Sequence, residues 1–162
     1  MSVIGRISAV LDSDGVSTGD RAALRRMQAG HPPPLVFYRF AMRYLPDGWE
    51  KKLDDWMAIT AGMALMAPHS HNLNAGLGKV LAEEGYSEAR LERLLASEEE
   101  VRRLLLLRVA RFLASKGKTM NWVEGAALLL TGHGKQREAL HRRIAKEFYS
   151  VLNQIEQRQG VS

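Results

Sequence analysis

The side chains of this sequence with the clearest chemical potential are the arginines and lysines of its second half. Residues 98–162 contain twelve Lys and Arg against seven Asp and Glu, whereas residues 1–97 contain eleven of each. The formal charge of +5 therefore belongs entirely to the second part, and between Val101 and Lys146 the only acids are Glu124 and Glu138. A concentrated positive field attracts polyanions, and phosphate binding releases counterions. This composition favours a protein that holds nucleic acid over one that transforms a small molecule.

Groupings typical of an enzyme or a metal site are weak. His69 and His71 could offer two imidazoles to a metal, but no third ligand follows at a recognisable spacing. The Gly-Leu-Gly-Lys segment at 76–79 lacks the full glycine pattern of a phosphate loop and predicts a helix start instead. The adjacent acids at 54–55 and 83–84 point to different sides of a helix. The chain has no cysteine, so it has no thiol nucleophile and no cysteine-based zinc site. Because none of these groupings amounts to an active site, we expect no catalytic activity, no metal and no cofactor.

Apolar periodicity and capping residues predict an all-α protein with two small helical lobes. The predicted helices are Val3–Leu11, Asp20–Gln28, Leu35–Leu45, Trp49–Ala67, Leu77–Glu84, Ser87–Ala96, Ser97 to about Lys116, Trp122–Thr131 and Lys135–Gln157. Ser97 precedes three glutamates, a pattern typical of a capped helix start. We place the boundary there, between an N-terminal helical domain (1–97) and a C-terminal basic helical bundle (98–162). The three tryptophans sit on apolar faces or at helix starts, which predicts that they are core residues.

The last predicted helix separates its charged residues from its apolar ones. Apolar residues recur at three- and four-residue steps from Leu140 to Ile155 and share one face. Lys135, Arg142 and Lys146 fall on the opposite face at 100° per residue. A solvated surface stripe is the ordinary interpretation of such a face, and a surface that follows phosphates is the alternative.

The long helix that precedes it carries further bases. Arg103, Arg108 and Arg111 add to the exposed positive charge, and Arg108 and Arg111 lie one turn apart beside Leu104. A plain protein surface more often mixes the two signs of charge. Both interpretations, solvated surface and phosphate-tracking surface, remain open at this point.

Six short segments follow one another along the chain, with an arginine-rich leucine helix between the fourth and the fifth. They are Gly19–Arg26 (GDRAALRR), Phe37–Phe40 (FYRF), Gly76–Glu84 (GLGKVLAEE), Leu91–Leu95 (LERLL), Asn121–Leu130 (NWVEGAALLL) and Arg137–Tyr149 (REALHRRIAKEFY). Taken in this order, they resemble the CasB family, the small subunit of the type I-E Cascade complex in CRISPR interference. Each segment alone is common among basic helical proteins. The ordered set covers most of the chain, and this order carries the resemblance.

The resemblance implies more than the charge pattern does. Members of that family are all-helical, two-lobed and non-catalytic, and two copies lie within the complex beside its crRNA-containing backbone and large subunits. They grip the crRNA–target DNA backbone and the displaced non-target strand, which stabilises the R-loop during antiviral defence. R-loop formation is a nearly balanced exchange of duplexes, so sequence-independent backbone contacts can tip it.

By position within the matching segments, the resemblance points to Arg25 or Arg26 and to Lys79 as nucleic-acid-binding residues, and in the basic half to Arg108, Arg111, Arg142 and Arg143. The helical-face argument alone adds Lys135, Arg137 and Lys146. Two other functions remain: a stand-alone helical DNA-binding regulator, which needs a recognition helix such as Asn121–Thr131, and an adaptor for an acidic protein. The N-terminal segment lacks the apolar block of a signal peptide and no run is long enough for a bilayer, so we expect a cytoplasmic protein without membrane contact.

Overall fold

The computed structural model describes residues 2–160, which fold into helices and connecting loops with no strand among them, so the predicted all-α class is confirmed. In this part of the chain the α-helices are α1 (Val3–Leu11), α2 (Thr18–Arg25), α3 (Leu35–Tyr44), α4 (Leu53–Met66), α5 (Leu77–Glu83), α6 (Glu88–Ala96), α7 (Glu99–Ser115), α8 (Trp122–Leu130) and α9 (Lys135–Gly160). A 3₁₀-helix (Trp49–Lys52) leads into α4, where a single helix was predicted. None of the described helices has the length and apolar character needed to cross a bilayer.

Side-chain caps begin several of these helices where the sequence predicts them. The Asn121 side chain accepts a hydrogen bond from the Val123 N–H at 2.9 Å, which confirms the predicted start of α8. In α2 the cap is Ser17, whose hydroxyl accepts from the Asp20 N–H at 3.1 Å, so this helix begins at Thr18, two residues before the predicted Asp20. Short polar side chains compete for such positions, so a pattern of several in a row locates a helix start only to within a residue or two.

The start of α7 differs from its prediction. Ser97 does not cap this helix: its hydroxyl donates to the Leu94 carbonyl at 2.7 Å and so closes α6. Glu98 occupies the N-cap position without a side-chain hydrogen bond, and Glu99 has a φ of 43°, a left-handed conformation that residues other than glycine rarely adopt. The predicted capping box is therefore wrong, because the serine satisfies the preceding helix rather than the following one.

The helix α4 lies at the centre of the fold. Ten of its fourteen residues are buried, and it packs against α2, α7 and α8. Its run of small and medium apolar residues is buried on nearly all sides, as expected for a helix without a polar face. Gly62 leaves room there for the ring of Trp122, which is fully buried. Trp49 and Trp56 are also buried, which confirms the prediction that the tryptophans belong to the core.

The helices α5 and α9 pack closely against each other. Gly78 lies directly against the α9 backbone at Ile144, where any side chain would collide with the Ile144 carbonyl. The segment 76–79 is thus a helix start, as predicted, and its glycines serve helix packing. One cluster of buried apolar side chains runs from Ile4 to Phe148 and includes both predicted lobes. The boundary at residues 97 and 98 falls between α6 and α7 and stays a prediction.

Candidate nucleic-acid interface

The ten predicted binding residues lie on several separate surfaces of the molecule. Nine are exposed and one, Arg137, is half-buried. They are Arg25 and Arg26 on α2, Lys79 on α5, Arg108 and Arg111 on α7, and Lys135, Arg137, Arg142, Arg143 and Lys146 on α9. The fold therefore divides them into groups that must be considered one at a time.

Several basic side chains surround an aromatic pair formed by Tyr86, which precedes α6, and Phe112 on α7. Tyr86 and Phe112 have ring centroids 5.2 Å apart, and the Arg90 guanidinium lies 4.5 Å from the Tyr86 centroid and 5.6 Å from that of Phe112. The Lys116 ammonium lies 5.7 Å from the Phe112 centroid. Cation–π contacts of this kind hold long basic side chains in place at a protein surface.

Two further arginines belong to the same surface. Burial raises the pKa of Tyr86, while the charges of Arg90, Arg108 and Arg93 act in the opposite direction, which places all three guanidinium groups around the phenol. Arg111 is exposed one turn after Arg108. We call the group Arg90, Arg93, Arg108, Arg111 and Lys116 the α6–α7 basic surface. Within residues 2–160, none of its members takes part in an ion pair.

Sequence reasoning found only Arg108 and Arg111 of this surface. Arg93 stood within the quoted LERLL segment, but its helix was not assigned a basic face. Arg90 joins because α6 folds against α7 and brings this arginine beside Phe112, whereas Lys116 lies one turn after Phe112 at the end of α7. The available signal was the three-residue spacing of Arg90 and Arg93, which puts both on one side of a short helix.

The other two arginines of α7 are structural. Arg103, which the sequence places among the exposed bases, donates to Asp55 at 3.0 Å, and both side chains are mostly buried. Arg102 is 2% exposed and donates to the carbonyls of Leu95, Ser97 and Leu128 at 2.6–2.8 Å. Burial, followed by the nearby Arg137 charge, lowers the pKa of Arg102 to about 10. These two side chains tie α7 to its neighbours and are not available to a ligand from solvent.

A second group of bases lines a cleft of about 850 Å³ between α5, α8 and α9. It brings Lys79 together with Arg143 and Lys146, although they are more than sixty residues apart in the chain. Arg143 donates from Nε to Glu124 at 3.0 Å, and that carboxylate is almost completely buried. Arg143 therefore has a structural partner, whereas Lys79 and Lys146 are exposed without an ion pair among the described residues.

Two carboxylates form the floor of this cleft and hold the start of α5. Glu124 accepts from the Leu77 N–H at 2.9 Å, and the Glu147 carboxylate lies against Gly76 and close to Lys79. Burial, followed by the Glu124 charge, raises the pKa of Glu147, and Arg143 and Lys79 oppose the shift. The cleft thus has acids at its base and bases at its rim, an arrangement that suits a ligand passing along the rim.

The outer face of α9 agrees with its helical pattern. Lys135, Arg142 and Lys146 are all exposed, on the side opposite the buried Leu140, Ile144 and Phe148. Arg142 also borders a shallow groove that contains Glu88 and Glu92, so acids of α6 reduce the field there. The Tyr149 hydroxyl donates to Glu88 at 3.2 Å across the same groove.

Arg137 and the α2 arginines stand apart from these groups. Arg137 faces the N-terminal end of α7 and lies 3.4 Å from His133 rather than on the outer face of α9. Arg26 donates to the Ala22 carbonyl of its own helix at 3.0 Å, while Arg25 is exposed. The α2 pair belongs to the first half of the chain, where the formal charge is balanced.

Two other candidates from the sequence, His71 and the helix α8, make contacts within the protein. His71 accepts at Nδ1 from the Trp122 N–H at 2.9 Å, and residues 2–160 contain no group of three His, Cys, Asp or Glu side chains able to hold a metal. The proposed recognition helix, α8, has six of its nine residues buried. A buried helix cannot enter a DNA groove, which weighs against the stand-alone regulator.

A comparison with protein-family models adds one finding. The model of the family described as CRISPR-associated protein Cse2 matches residues 20–149. The matched region contains all ten predicted basic residues and the whole α6–α7 basic surface. No curated protein matches the chain.

Proposed function

The chain belongs to the CRISPR-associated Cse2 (CasB) family, and from this premise we propose that it is the non-catalytic small subunit of a type I-E Cascade complex in antiviral defence. In this role it binds the backbone of the crRNA–target duplex and the displaced non-target strand through its basic surfaces, and so stabilises the R-loop. Its partners are the crRNA-containing backbone subunits, the large subunit and a second copy of itself.

One observation carries this proposal: the α6–α7 basic surface presents five cations without an ion pair among the described residues. Guanidinium groups match the geometry of phosphate oxygens and bind them by charge-assisted hydrogen bonds. The aromatic rings of Tyr86 and Phe112 hold Arg90 and so reduce the entropy lost when it binds. Base edges need not be read, because the guide RNA supplies the sequence specificity.

The test is charge reversal on this surface within the assembled complex. Arg108→Glu with Arg111→Glu should weaken R-loop formation on every target sequence to the same extent, because backbone contacts do not depend on sequence. Arg6→Glu, an exposed arginine on α1 outside the matched region, is the control. Loss on some targets only, or equal loss in the control, would contradict the proposal.

The free subunit offers a second readout of the same surface. Its affinity for a single-stranded oligonucleotide should fall as salt rises, with a slope of about −0.7 for each phosphate contact. Arg108→Gln with Arg111→Gln should therefore reduce the slope by about 1.4. An unchanged slope would mean that these two arginines do not contact phosphates.

The proposed association of two copies is supported by two exposed apolar faces. On α3, Leu35 is 85% exposed and Met42 is 76% exposed, and Arg39 beside them is paired with Asp20 at 2.8 Å. At the start of α7, Val101 and Leu104 are about half exposed. Contact between the α3 face of one copy and the α7 face of another would remove this apolar surface from water.

Mixing two variants tests this pairing. Met42→Glu disables the α3 face and Leu104→Glu disables the α7 face, so each variant alone should be monomeric by sedimentation analysis. An equimolar mixture should form heterodimers, because each variant keeps the face that the other lacks. Self-association of either single variant, or a monomeric mixture when the wild type associates, would exclude this contact.

A further inference from the structure

Arg90 covers the aromatic pair of the α6–α7 basic surface. Its guanidinium carbon lies 4.5 Å from the Tyr86 ring centroid and 5.6 Å from that of Phe112. Tyr86 is 6% exposed and Phe112 is half-buried, whereas Arg90 is exposed. A molecule that approaches from solvent at this point therefore meets the guanidinium rather than the Tyr86 ring beneath it.

The start of α6 holds this guanidinium in place. Ser87 is the N-cap, and its hydroxyl accepts from the Arg90 N–H and from Arg90 Nε, both at 3.2 Å. Side chains of a helix point back toward its N-terminus, which brings Arg90 over Tyr86, the second residue before α6. Because the ring and the cap hydroxyl both contact the guanidinium, this group loses less conformational freedom on binding than a free arginine side chain does.

Exposed arginines able to bind phosphates surround this position. Arg93 lies one turn after Arg90 on α6, and Arg108 and Arg111 lie one turn apart on α7. All four are exposed, and none takes part in an ion pair among the described residues. The charges of Arg90, Arg108 and Arg93 all lower the pKa of Tyr86, so they lie around the same ring. A strand whose phosphates meet these cations therefore passes close to the Arg90 guanidinium.

The acids of α6 lie on the other side of the helix. Helical geometry places Glu88 and Glu92 about 160° around α6 from Arg90. Both carboxylates line the groove between α6 and α9 instead. The exposed side of Arg90 thus belongs to a positive field, which attracts a polyanion.

A guanidinium fixed over a ring can stack on a nucleobase. The group is planar and delocalised, and unpaired nucleobases stack on arginine planes as they do on aromatic rings. In a duplex the faces of the nucleobases are covered by their neighbours, so a duplex offers this surface phosphates alone. The exposed rings of Tyr38 and Tyr149 lie elsewhere, on α3 and beside Glu88 on the acidic side of α6.

We propose that Arg90 is a nucleobase-stacking residue that makes the α6–α7 basic surface prefer an unpaired strand to a duplex. The ligand is a single-stranded nucleic acid whose phosphates meet Arg93, Arg108 and Arg111 while one nucleobase stacks on Arg90. Every nucleobase has a π face, so this contact is independent of sequence. The inference rests on the proposed function for the phosphate contacts and adds to them a contact that only an unpaired strand can make.

Two strands that differ only in their nucleobases test the stacking contact. The probes are an oligothymidylate and an abasic strand of the same length, which carry the same phosphates. In fluorescence anisotropy at constant salt, the full chain should bind the oligothymidylate about fivefold more tightly, the contribution of one stacked nucleobase. Arg90→Lys keeps the charge and removes the planar group, so this preference should disappear while binding of the abasic strand and of a duplex stays nearly unchanged. Arg93→Lys, at an exposed position one turn along the same helix, is the matched control and should keep the preference.

The outcomes separate this inference from the proposed function. A wild type without the preference, a preference that survives Arg90→Lys, or an equal loss in Arg93→Lys overturns the stacking role. Arg108→Gln with Arg111→Gln should weaken binding of the oligothymidylate and of the abasic strand alike, because it removes phosphate contacts. Abasic-strand binding that this double variant does not weaken would count against the phosphate contacts themselves, whatever the behaviour of Arg90→Lys.

Discussion

Replacing Arg143 with glutamine should destabilise the protein, because this arginine neutralises a buried carboxylate. Arg143 Nε lies 3.0 Å from Glu124 Oε2, and the Glu124 side chain is 3% exposed whereas that of Arg143 is 58% exposed. Breaking a fully buried pair costs about 3–5 kcal/mol, and an exposed pair is worth about 0–1 kcal/mol. The mixed burial of this pair places the expected loss of unfolding free energy at about 2 kcal/mol.

A double-mutant cycle shows whether the loss arises from this pair. In Glu124→Gln the amide oxygen can still accept from the Leu77 N–H, but the buried charge is gone. Arg143→Gln should then cost almost nothing in that background, which gives a coupling energy of about 2 kcal/mol. Denaturant unfolding measures the four free energies, and the single Arg143 variant should melt about 4–8 °C lower than the wild type.

Lys146→Gln is the matched control for this cycle. Lys146 lies three residues along the same helix, is exposed and lines the same cleft, but has no ion pair within the described chain. Its replacement should change stability by less than about 0.5 kcal/mol. An equal cost of Arg143→Gln in both backgrounds, or a cost no greater than that of Lys146→Gln, would refute the structural role of Arg143.

Two further predictions concern packing and pH. Gly78→Ala should destabilise the protein by about 3 kcal/mol in denaturant unfolding, because the added methyl group would collide with the α9 backbone. Gly19→Ala is the control and should not lower the unfolding free energy, because the space around Gly19 is open. Equal effects of the two substitutions would contradict the close approach of α5 and α9. Burial lowers the pKa of His71 and His141 below 6.5, so both bind protons more weakly in the folded state, and unfolding free energy should decrease as the pH falls from 7.5 to 5.5. Replacing either histidine with glutamine should reduce that loss; a pH dependence unchanged from that of the wild type in both variants would exclude this linkage.

Most helices could be predicted from the sequence because their signals are local. Gly48, with a φ of 84°, and the asparagine cap of α8 mark starts that depend only on neighbouring residues. The predicted start of α7 was wrong because Ser97 has two possible partners, and only the packing of α6 and α7 decides that it bonds to Leu94. The sequence shows which side chains are able to cap a helix, but the packing of neighbouring helices decides which hydrogen bond such a side chain makes.

The candidate interface was less predictable than the helices. The charge excess of the second half and the ordered family segments were sufficient to identify a Cse2-family chain and to suggest its basic character. The sequence assigned Arg103 and Arg108 alike to the exposed positive charge, yet Arg108 is exposed and Arg103 is bound to Asp55. The sequence shows which residues share one face of a helix. It does not show which of those faces packs against a neighbouring helix.

The sequence alone determined the helical class, the burial of the tryptophans, the position of the net charge and the family. Only the tertiary structure decided that Arg90 joins the α7 arginines, that Lys79 meets the bases of α9 and that Arg143 is committed to Glu124. The physical reason is the range of the interactions. Helix propensity, capping and amphipathic periodicity act within a few residues. Salt bridges and clefts depend on elements that are distant in the chain and are brought together by burial of a shared core.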